Sequence, residues 1–390
     1  MVSLRADLAL ENIAALLRAD MEITLTNAEL NKNLYFMKNK KKCVAFPSKP
    51  QLHGGPGSFQ IRFEEALKQR GWKISYGQQK ALDKIDVIVV IAATKRLFWL
   101  IREKLKGVPI IQRLDGVLWQ HKFENKGLWL SKIKPFIYQS LTTFIYRFIA
   151  DGVVYQSEFI RQCWYRHLNY EPGVQTVIHN AVDLKQINPG ISRLFGTQFK
   201  RPKLICVEGE VQDSDANIEP LIGVGIRLLD QHLISGVTVI GDISPAVRQR
   251  LEQAIPSIDI KGRLSRDETL SLYPGSIYLV LEINAPCPNS VIEAMALGCP
   301  VVGFDSGALA ELVPPVAGEI VPYDGDPWNL DVPDANKLFK GILKVLGDYS
   351  TFSNNARKVA LQRYDLEKMT ESYILTIEKI LSRRDSSRHS

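Results

Sequence analysis

Residues 286–302 carry the residue types in this chain that are best suited to chemistry. They read Pro-Cys-Pro-Asn-Ser-Val-Ile-Glu-Ala-Met-Ala-Leu-Gly-Cys-Pro-Val-Val. The prolines stiffen a loop, Asn289 or Ser290 can cap the helix that follows, and Glu293 lies in its first turn. Free N–H groups at such a helix start attract a phosphate, and Glu293 can accept hydrogen bonds from two hydroxyls of a ribose. The pattern predicts a nucleotide site, with a well-capped core helix as the alternative.

A glycine loop in the first half of the chain is a second candidate. It reads Gly-Gly-Pro-Gly-Ser at residues 54–58, between an apolar strand and a helical pattern. Glycines let the backbone approach a ligand closely, and the helix start offers N–H groups to an anion. The loop has neither the spacing of a dinucleotide fingerprint nor the Lys-Ser/Thr pair of a Walker loop. A purely structural turn is the alternative.

Alternating apolar runs and helical patterns must position both candidates. Strand-length runs that are apolar throughout, each followed by a helix, are typical of a parallel sheet covered on both faces. The alternation stops at residues 184–202, where turn-forming residues indicate a linker, and then restarts. The sequence predicts an α/β protein with two doubly wound, Rossmann-like domains in tandem. The main predicted strands lie at residues 43–46, 85–92, 108–112, 152–155, 174–178, 203–207, 237–241, 276–281, 300–304 and 319–322.

Residues 286–302 closely resemble the signature of family 4 glycosyltransferases, which are retaining enzymes of the GT-B fold. Three further segments resemble that family in the expected order, and the resemblance covers roughly residues 40–380. It implies two Rossmann-like domains that face a cleft, with C-terminal helices that cross back. The further segments are Ala-Asp-Gly-Val-Val-Tyr-Gln-Ser-Glu-Phe at 150–159, Val-Ile-His-Asn-Ala-Val-Asp at 177–183, and Asp-Ser-Gly-Ala-Leu-Ala-Glu-Leu-Val at 305–313 with Gly-Glu-Ile-Val at 318–321.

The resemblance also implies a division of the chain into domains. The first domain would bind the acceptor, and the second would bind a nucleotide-sugar. The expected units are an N-terminal extension at 1–37, the acceptor domain at 38–184, a linker at 185–202, the nucleotide-sugar domain at 203–365, and a C-terminal helix and tail at 366–390.

Site residues follow from the resemblance position by position. Glu293 matches the residue that binds the ribose, and Asn289, Ser290 and Val291 match the helix start that holds the diphosphate. Gly54 and Gly55 match the loop that lines the cleft near the transferred sugar and the acceptor. Many members carry a His after the strand that ends near residue 114, where this chain offers Asp115 and, further on, His121 as catalytic candidates. The alternatives are a loop-capping carboxylate for Asp115 and a solvated loop residue for His121.

Two positions depart from the family pattern. The first Glu of the signature falls at Ala285, and Glu282 lies three residues too early to be assumed a replacement. Members usually clamp the diphosphate with an Arg and a Lys-Gly after the first strand of the second domain. The equivalent residues 206–213 are acidic, which is unfavourable beside a diphosphate. Lys261 and Arg263, at the end of a further predicted strand, are the best substitutes, with a solvated turn as the alternative.

The resemblance implies an enzyme that moves a hexose-type sugar from a nucleotide-diphospho-sugar to an acceptor hydroxyl, with retention of configuration. It implies no metal and no cofactor, a glycan or lipid-linked acceptor, and a role in bacterial cell-surface polysaccharide or glycolipid assembly. A catalytically impaired, nucleotide-sugar-binding GT-B protein is the main alternative, favoured by Ala285 and by the missing basic clamp. A GT-B phosphorylase or epimerase also stays open. A nucleic-acid partner is not expected, because the sequence shows no recognised nucleic-acid-binding motif.

The net charge of +7 is unevenly distributed. Residues 1–200 hold 30 Lys and Arg against 16 Asp and Glu, whereas residues 201–390 hold 19 against 26. The basic half therefore faces an anionic ligand or membrane surface, or it docks on the acidic half. Five cysteines without a CxxC pair suit a reducing cytoplasm, so we expect a cytoplasmic protein, with peripheral binding at the inner face of the cell membrane. The membrane candidates are Lys38–Lys42 and the amphipathic region of Lys126, Trp129, Leu130, Lys132, Ile133, Lys134, Phe136, Ile137, Ile145, Arg147 and Phe148, with a packed helix bearing solvated lysines as the alternative.

Overall fold

Two parallel six-stranded sheets organise the computed structural model, which describes residues 42–51, 54–77, 84–116, 129–185, 187 and 201–388. The strands in the described residues are β1 (Cys43–Phe46), β2 (Lys73–Tyr76), β3 (Val87–Ile91), β4 (Ile110–Leu114), β5 (Gly152–Tyr155), β6 (Gln175–Val177), β7 (Lys203–Glu210), β8 (Val237–Asp242), β9 (Asp259–Gly262), β10 (Ser276–Leu279), β11 (Val301–Phe304) and β12 (Gly318–Val321). The first sheet has the order β2-β1-β3-β4-β5-β6, and the second has the order β12-β11-β10-β7-β8-β9.

Helices connect these strands and continue after the last one. A π-helical turn at Ile145–Ile149 extends the third helix. Of the helices within the described part of the chain, none combines the length and apolar composition needed to cross a membrane. The helices are α1 (Gly55–Gln69), α2 (Leu97–Leu105), α3 (Trp129–Phe144), α4 (Glu158–Leu168), α5 (Asp215–Asp230), α6 (Pro245–Ala254), α7 (Arg266–Leu270), α8 (Asn289–Ala296), α9 (Leu309–Leu312), α10 (Ala335–Gly347), α11 (Tyr349–Arg363) and α12 (Leu366–Arg388).

The predicted α/β architecture with two doubly wound sheets is confirmed. All ten strands predicted from the apolar runs are present, with ends shifted by at most three residues. Strand β2 was missed, because it is an edge strand of the first sheet and its residues Lys-Ile-Ser-Tyr are all at least partly exposed. An edge strand needs no continuous apolar run, so its sequence lacks the signal that identifies the buried strands.

Apolar side chains cover both faces of each sheet. In the first sheet, α1 and α12 pack on one face, and α2, the π-helical turn and α4 pack on the other. In the second sheet, α8 and α11 cover one face, and α5, α6 and α10 cover the other. Because both faces are covered, the strand ends remain the edges at which polar side chains can meet a ligand.

The chain crosses between the two sheets at two adjacent places. The backbone N–H of Val182 donates to the carbonyl of Tyr364 at 3.0 Å, and the N–H of Leu366 donates to the carbonyl of Val182 at 3.2 Å. Helix α12 then packs on the first sheet, which confirms the predicted return of the C-terminal helices. The ring of Tyr373 lies 5.4 Å from that of Phe59 and 4.7 Å from that of Phe63.

We expect Tyr373→Ala to lower the free energy of unfolding by about 3 kcal/mol or more, because it empties a buried aromatic site between α12 and α1. Urea unfolding followed by circular dichroism measures the shift in midpoint. Leu375→Ala on the same helix is the matched control, because that side chain is 60% exposed. Equal effects of the two substitutions would show that α12 does not pack as described.

Candidate functional site

The start of helix α8 lies beyond the carboxyl end of β10, after the proline loop. Its N-cap is Pro288, and no side chain caps the helix. The prediction that Asn289 or Ser290 is the cap is therefore wrong. Both are helical residues, and Oγ of Ser290 lies 2.9 Å from the hydroxyl of Tyr278. Proline offers no side-chain acceptor, so the first N–H groups of the helix are left for water or a ligand.

Glu293 is the fifth residue of α8 and lies in its second turn, not in the first turn as predicted. Its side chain is only 12% exposed. Oε1 of Glu293 accepts a hydrogen bond of 2.9 Å from Nε of Arg266. Nη1 of Arg62 lies 3.8 Å from the same oxygen. The carboxylate that the resemblance assigns to a ribose is thus held between one arginine from each half of the chain.

Sequence reasoning missed both arginines, because no local pattern marks them. Arg62 lies within the amphipathic helix α1, and Arg266 is the first residue of the short helix α7. Each position is one where a solvated arginine is common. Only their approach to Glu293 from different elements distinguishes them, and the sequence carries no short-range sign of that approach.

Lys261 and Arg263 lie at the end of β9, which is an edge strand of the second sheet. Lys261 pairs with Asp259 at 3.0 Å, and Arg263 pairs with Asp242. Three residues after Arg263, Arg266 begins α7, and its side chain contacts Glu293 of α8. The predicted contacts of Lys261 and Arg263 with a diphosphate stay predictions.

Glu208, near the end of β7, forms a carboxylate pair with Glu282, which follows β10. Oε1 of Glu208 accepts hydrogen bonds of 3.1 Å from the backbone N–H groups of Leu281 and Glu282. Burial, and then repulsion from Glu282, raises the pKa of Glu208, and burial raises the pKa of Glu282. The pair therefore carries less negative charge near neutral pH than two free carboxylates would. Within the described ranges, no three His, Cys, Asp or Glu side chains are grouped to hold a metal ion.

Ala285, where the family signature has its first Glu, is buried beside a tight turn. A Cβ atom on Gly307 would lie 2.5 Å from the backbone N and O of Ala285, and Gly307 has a φ of +65°. The backbone of the two segments therefore packs closely at this place. The side chain of Ala285 is a methyl group, which cannot accept a hydrogen bond. Of the two glutamates in the family signature, this chain therefore retains the second, Glu293.

Asp115 follows β4 and belongs to a polar network at the carboxyl end of the first sheet. Its carboxylate accepts hydrogen bonds from Arg113 and Gln156. Arg113 is buried and also donates to Oδ1 of Asn180 at 2.8 Å, which holds its guanidinium in place. Asp115 itself is partly exposed, so a substrate can reach it. His121, the other predicted catalytic residue, lies outside the described residues.

The proline loop of the second domain docks on the strand ends of the first. Oγ of Ser157 donates to the carbonyl of Pro286 at 2.6 Å. Nδ2 of Asn180 donates to the carbonyl of Cys287 at 2.8 Å. Both donors follow strands of the first sheet, β5 and β6, so the loop that leads into α8 is fixed by the opposite domain.

The predicted cleft loop also meets the start of α8. Helix α1 begins at Gly55, its N-cap Gly54 has a φ of +85°, and no side chain caps it. A Cβ atom on Gly55 would lie 3.8 Å from Nδ2 of Asn289. The structure therefore brings Gly54, Gly55 and the predicted diphosphate residues of α8 together, although they are more than 230 residues apart in the chain.

A second contact between the domains lies at Glu311. Its carboxylate lies 2.6 Å from Nε2 of His179 and accepts the backbone N–H groups of Glu158 at 2.9 Å and Phe159 at 3.3 Å. Burial alone would raise the pKa of Glu311, but the hydrogen bonds from His179 and from these amides lower it overall. Glu311 thus binds the start of α4 in the first domain.

A family model described as glycosyl transferases group 1 matches residues 206–348. This range begins within β7, ends just after α10, and includes α8 with its neighbours. No curated protein sequence matches the chain.

Solved structures match nearly the whole chain at low sequence identity. A sucrose-phosphate synthase from Thermosynechococcus elongatus has a TM-score of 0.63 at 15% identity, covering 88% of this chain and 100% of its own. A glycosyltransferase from Rickettsia africae has a TM-score of 0.62 at 15% identity, covering 88% and 99%. Anabaena HepE, in complex with UDP and glucose, has a TM-score of 0.60 at 16% identity, covering 87% and 100%.

These likenesses show that the chain has the GT-B fold. The family match and the fold together support a glycosyltransferase of the GT-B type, in agreement with the sequence resemblance. Membership of family 4 in particular stays a prediction.

We expect the contribution of Glu311 to stability to depend on pH. Because the folded state lowers the pKa of this carboxyl, its contribution is full above the ordinary value of 4.5 and is lost as the pH falls through the lowered pKa. Thermal unfolding of the wild type and of Glu311→Gln between about pH 3 and pH 7 tests this, because carboxyl groups titrate within that range. The wild-type advantage should shrink only at the acid end, and a constant difference would contradict the assignment.

Proposed function

We propose that this protein is a retaining glycosyltransferase that moves a hexose-type sugar from a nucleotide-diphospho-sugar to an acceptor hydroxyl. The observation that carries the proposal is the uncapped start of α8, which lies beside the uncapped start of α1. Two neighbouring helix starts provide N–H groups and positive dipole ends, which suit a diphosphate.

The donor site in this proposal is built on α8. Asn289, Ser290 and Val291 present backbone N–H groups to the diphosphate, and Glu293 accepts hydrogen bonds from the ribose hydroxyls. Lys261 and Arg263 are further proposed cations. We take uridine nucleotides as the first donors to test, because Anabaena HepE has been solved with UDP-glucose and pneumococcal GtfA with UDP and GlcNAc.

Transfer would proceed through a transition state in which negative charge builds on the leaving phosphate. Fixed N–H dipoles and cations at that phosphate stabilise the charge, because they need no reorganisation when it develops. The proposed mechanism uses these groups and no metal or cofactor. Asp115 and His121 are the proposed residues near the transferred sugar, and Asp115 lies at the strand ends on which the α8 loop docks.

The acceptor would approach from the first domain. Helix α2, helix α3 and the π-helical turn after α3 carry exposed apolar side chains, with Phe98 91% exposed and Phe136 and Phe148 each 70% exposed. Arg102 of α2, Lys106 directly after α2 and Arg147 of the π-helical turn are also exposed. Ile145, one of the predicted membrane residues, is instead buried in the core. This basic, aromatic surface supports a lipid-linked acceptor and peripheral binding to an anionic membrane at its inner, cytoplasmic face.

We place the reaction in bacterial cell-surface polysaccharide or glycolipid assembly, on the strength of that surface and the sequence resemblance.

Ala285 favours a second candidate, a nucleotide-sugar-binding protein without transferase activity, because the first carboxylate of the signature is missing. Hydrolysis of a bound sugar nucleotide separates the two, since a pure binding protein releases no free sugar.

We expect at least one sugar nucleotide to raise the melting temperature of the wild type in a thermal-shift panel. Glu293→Ala should weaken that donor about tenfold or more, because a hydrogen bond to a charged group contributes about 1.5–3 kcal/mol. Glu252→Ala, which removes an exposed carboxylate from α6, is the matched control and should leave the shift unchanged. If no sugar nucleotide in the panel stabilises the wild type, the donor-site proposal is wrong.

We expect the wild type to float with phosphatidylglycerol-rich vesicles at low salt and to be released at about 1 M salt, where the Debye length falls to ~3 Å. Phe136→Ser with Phe148→Ser should reduce the floating fraction about tenfold or more, because each phenylalanine contributes about 1.5–3 kcal/mol when buried. The control is Val316→Ser with Val332→Ser, which changes two side chains of the second half that are each 54% exposed. Failure of the wild type to float at low salt rules out the membrane proposal.

A further inference from the structure

Arg62 connects three parts of the molecule at the cleft. Its Nε donates to the carbonyl of Ser58 at 3.1 Å, within α1. Its Nη1 donates to the carbonyl of Ala181 at 2.7 Å, where the chain leaves the first domain. The same Nη1 faces Oε1 of Glu293, in the second domain, at 3.8 Å. The side chain is only 14% exposed, so its direction is fixed by these neighbours.

The contact between Arg62 and Glu293 is incomplete. At 3.8 Å it is too long for a hydrogen bond, and Arg266 holds the same oxygen at 2.9 Å. Burial lowers the pKa of Arg62, and attraction to Glu293 only partly opposes this effect. A guanidinium has five N–H donors, and the hydrogen bonds described for Arg62 end on two carbonyls. Arg62 is therefore a partly desolvated cation without a hydrogen-bonded anion among the described residues.

Arg62 borders the same space as the start of α8. Glu293 lies four residues beyond Asn289, which corresponds to about 6 Å along a helix axis. Gly55, at the start of α1, packs beside Asn289. Arg62 lies about two turns after Gly55 in α1, and Glu293 lies about one turn after Asn289 in α8. Because Nη1 of Arg62 lies 3.8 Å from Oε1 of Glu293, the guanidinium is about one helical turn from the α8 start at which a diphosphate would bind.

The usual diphosphate cations are missing from the second domain of this chain. Residues 206–213 supply Glu208 where members of the resembling family carry basic residues, and Lys261 and Arg263 pair with acidic neighbours on the strand edge. A guanidinium matches phosphate oxygens in a two-pronged geometry that a lysine cannot reproduce.

We propose that Arg62 is the diphosphate-binding cation of this site, supplied by the first domain in place of the missing clamp. When a nucleotide binds, the ribose hydroxyls take the Glu293 carboxylate, and Arg62 exchanges that carboxylate for a phosphate oxygen. The inference rests on the proposed function. It assigns the diphosphate a contact with each domain.

The test is isothermal titration calorimetry of UDP, ADP and GDP, each compared with its nucleoside, which lacks the diphosphate. Arg62→Gln should weaken the nucleoside diphosphate about 10- to 100-fold and leave the nucleoside unchanged, because a charged hydrogen bond is lost only to phosphate. Arg62→Lys should fall between Arg62→Gln and the wild type, because it keeps the charge and loses the two-pronged geometry. Glu293→Ala should weaken diphosphate and nucleoside alike.

Arg70→Gln is the matched control, because Arg70 lies at the other end of α1, where it contacts Glu367 of α12. It should bind like the wild type. If Arg62→Gln weakens diphosphate and nucleoside equally, or weakens neither, the assignment of Arg62 is overturned while the proposed function stands. If the wild type binds none of the nucleoside diphosphates, the proposed function fails and the assignment fails with it.

Discussion

Two helices begin beside each other where the first domain meets the second, and neither helix start is capped by a side chain. Helix α1 follows Gly54 and helix α8 follows Pro288, and neither residue offers a side-chain acceptor to the first turn. The positive ends of two helix dipoles repel each other, and each end leaves N–H groups that need an acceptor. The arrangement is unfavourable unless the fold enforces it. The hydrogen bonds of Ser157 and Asn180 to the proline loop supply that enforcement, because they fix α8 to the strand ends of the first sheet.

Ion pairs between residues 1–200 and residues 201–390 explain part of the uneven charge of the chain. Residues 1–200 contribute Arg62, Arg70, Lys42 and Lys185, and residues 201–390 contribute Glu293, Glu367 and Glu378 as their partners. The alternative in which one half docks on the other is thus realised at several local contacts. These contacts account for few of the excess basic residues, so the larger surplus on the first half remains available to an anionic ligand or surface. The raised pKa of Glu208 limits the negative charge on the other side of the site.

The sequence alone supported the main features of the fold and the place of the site. Buried strands were found because each is apolar throughout, and helix α8 was found because its apolar residues recur beside a proline loop and end at a glycine. The edge strand β2 was not predicted, because its residues are all at least partly exposed and form no continuous apolar run. The cap of α8 was misassigned because Asn289 and Ser290 are good caps in isolation, whereas the docked loop places Pro288 there instead. The fixed φ of proline allows Pro288 to occupy the cap position. The contacts of the loop with the first domain place Pro288 there.

What the sequence determined by itself is local: hydrophobic periodicity, turn chemistry, and a motif whose residues lie within one strand-to-helix connection. Those properties depend on neighbours a few positions apart, so they can be identified without coordinates. Tertiary structure alone decided which distant residues share the cleft. Gly55 meets Asn289, Arg62 faces Glu293, and His179 meets Glu311 only because the chain crosses twice between two sheets. The physical reason is that charge and hydrogen bonding act over a few ångströms in space, whereas the sequence records separation along the chain.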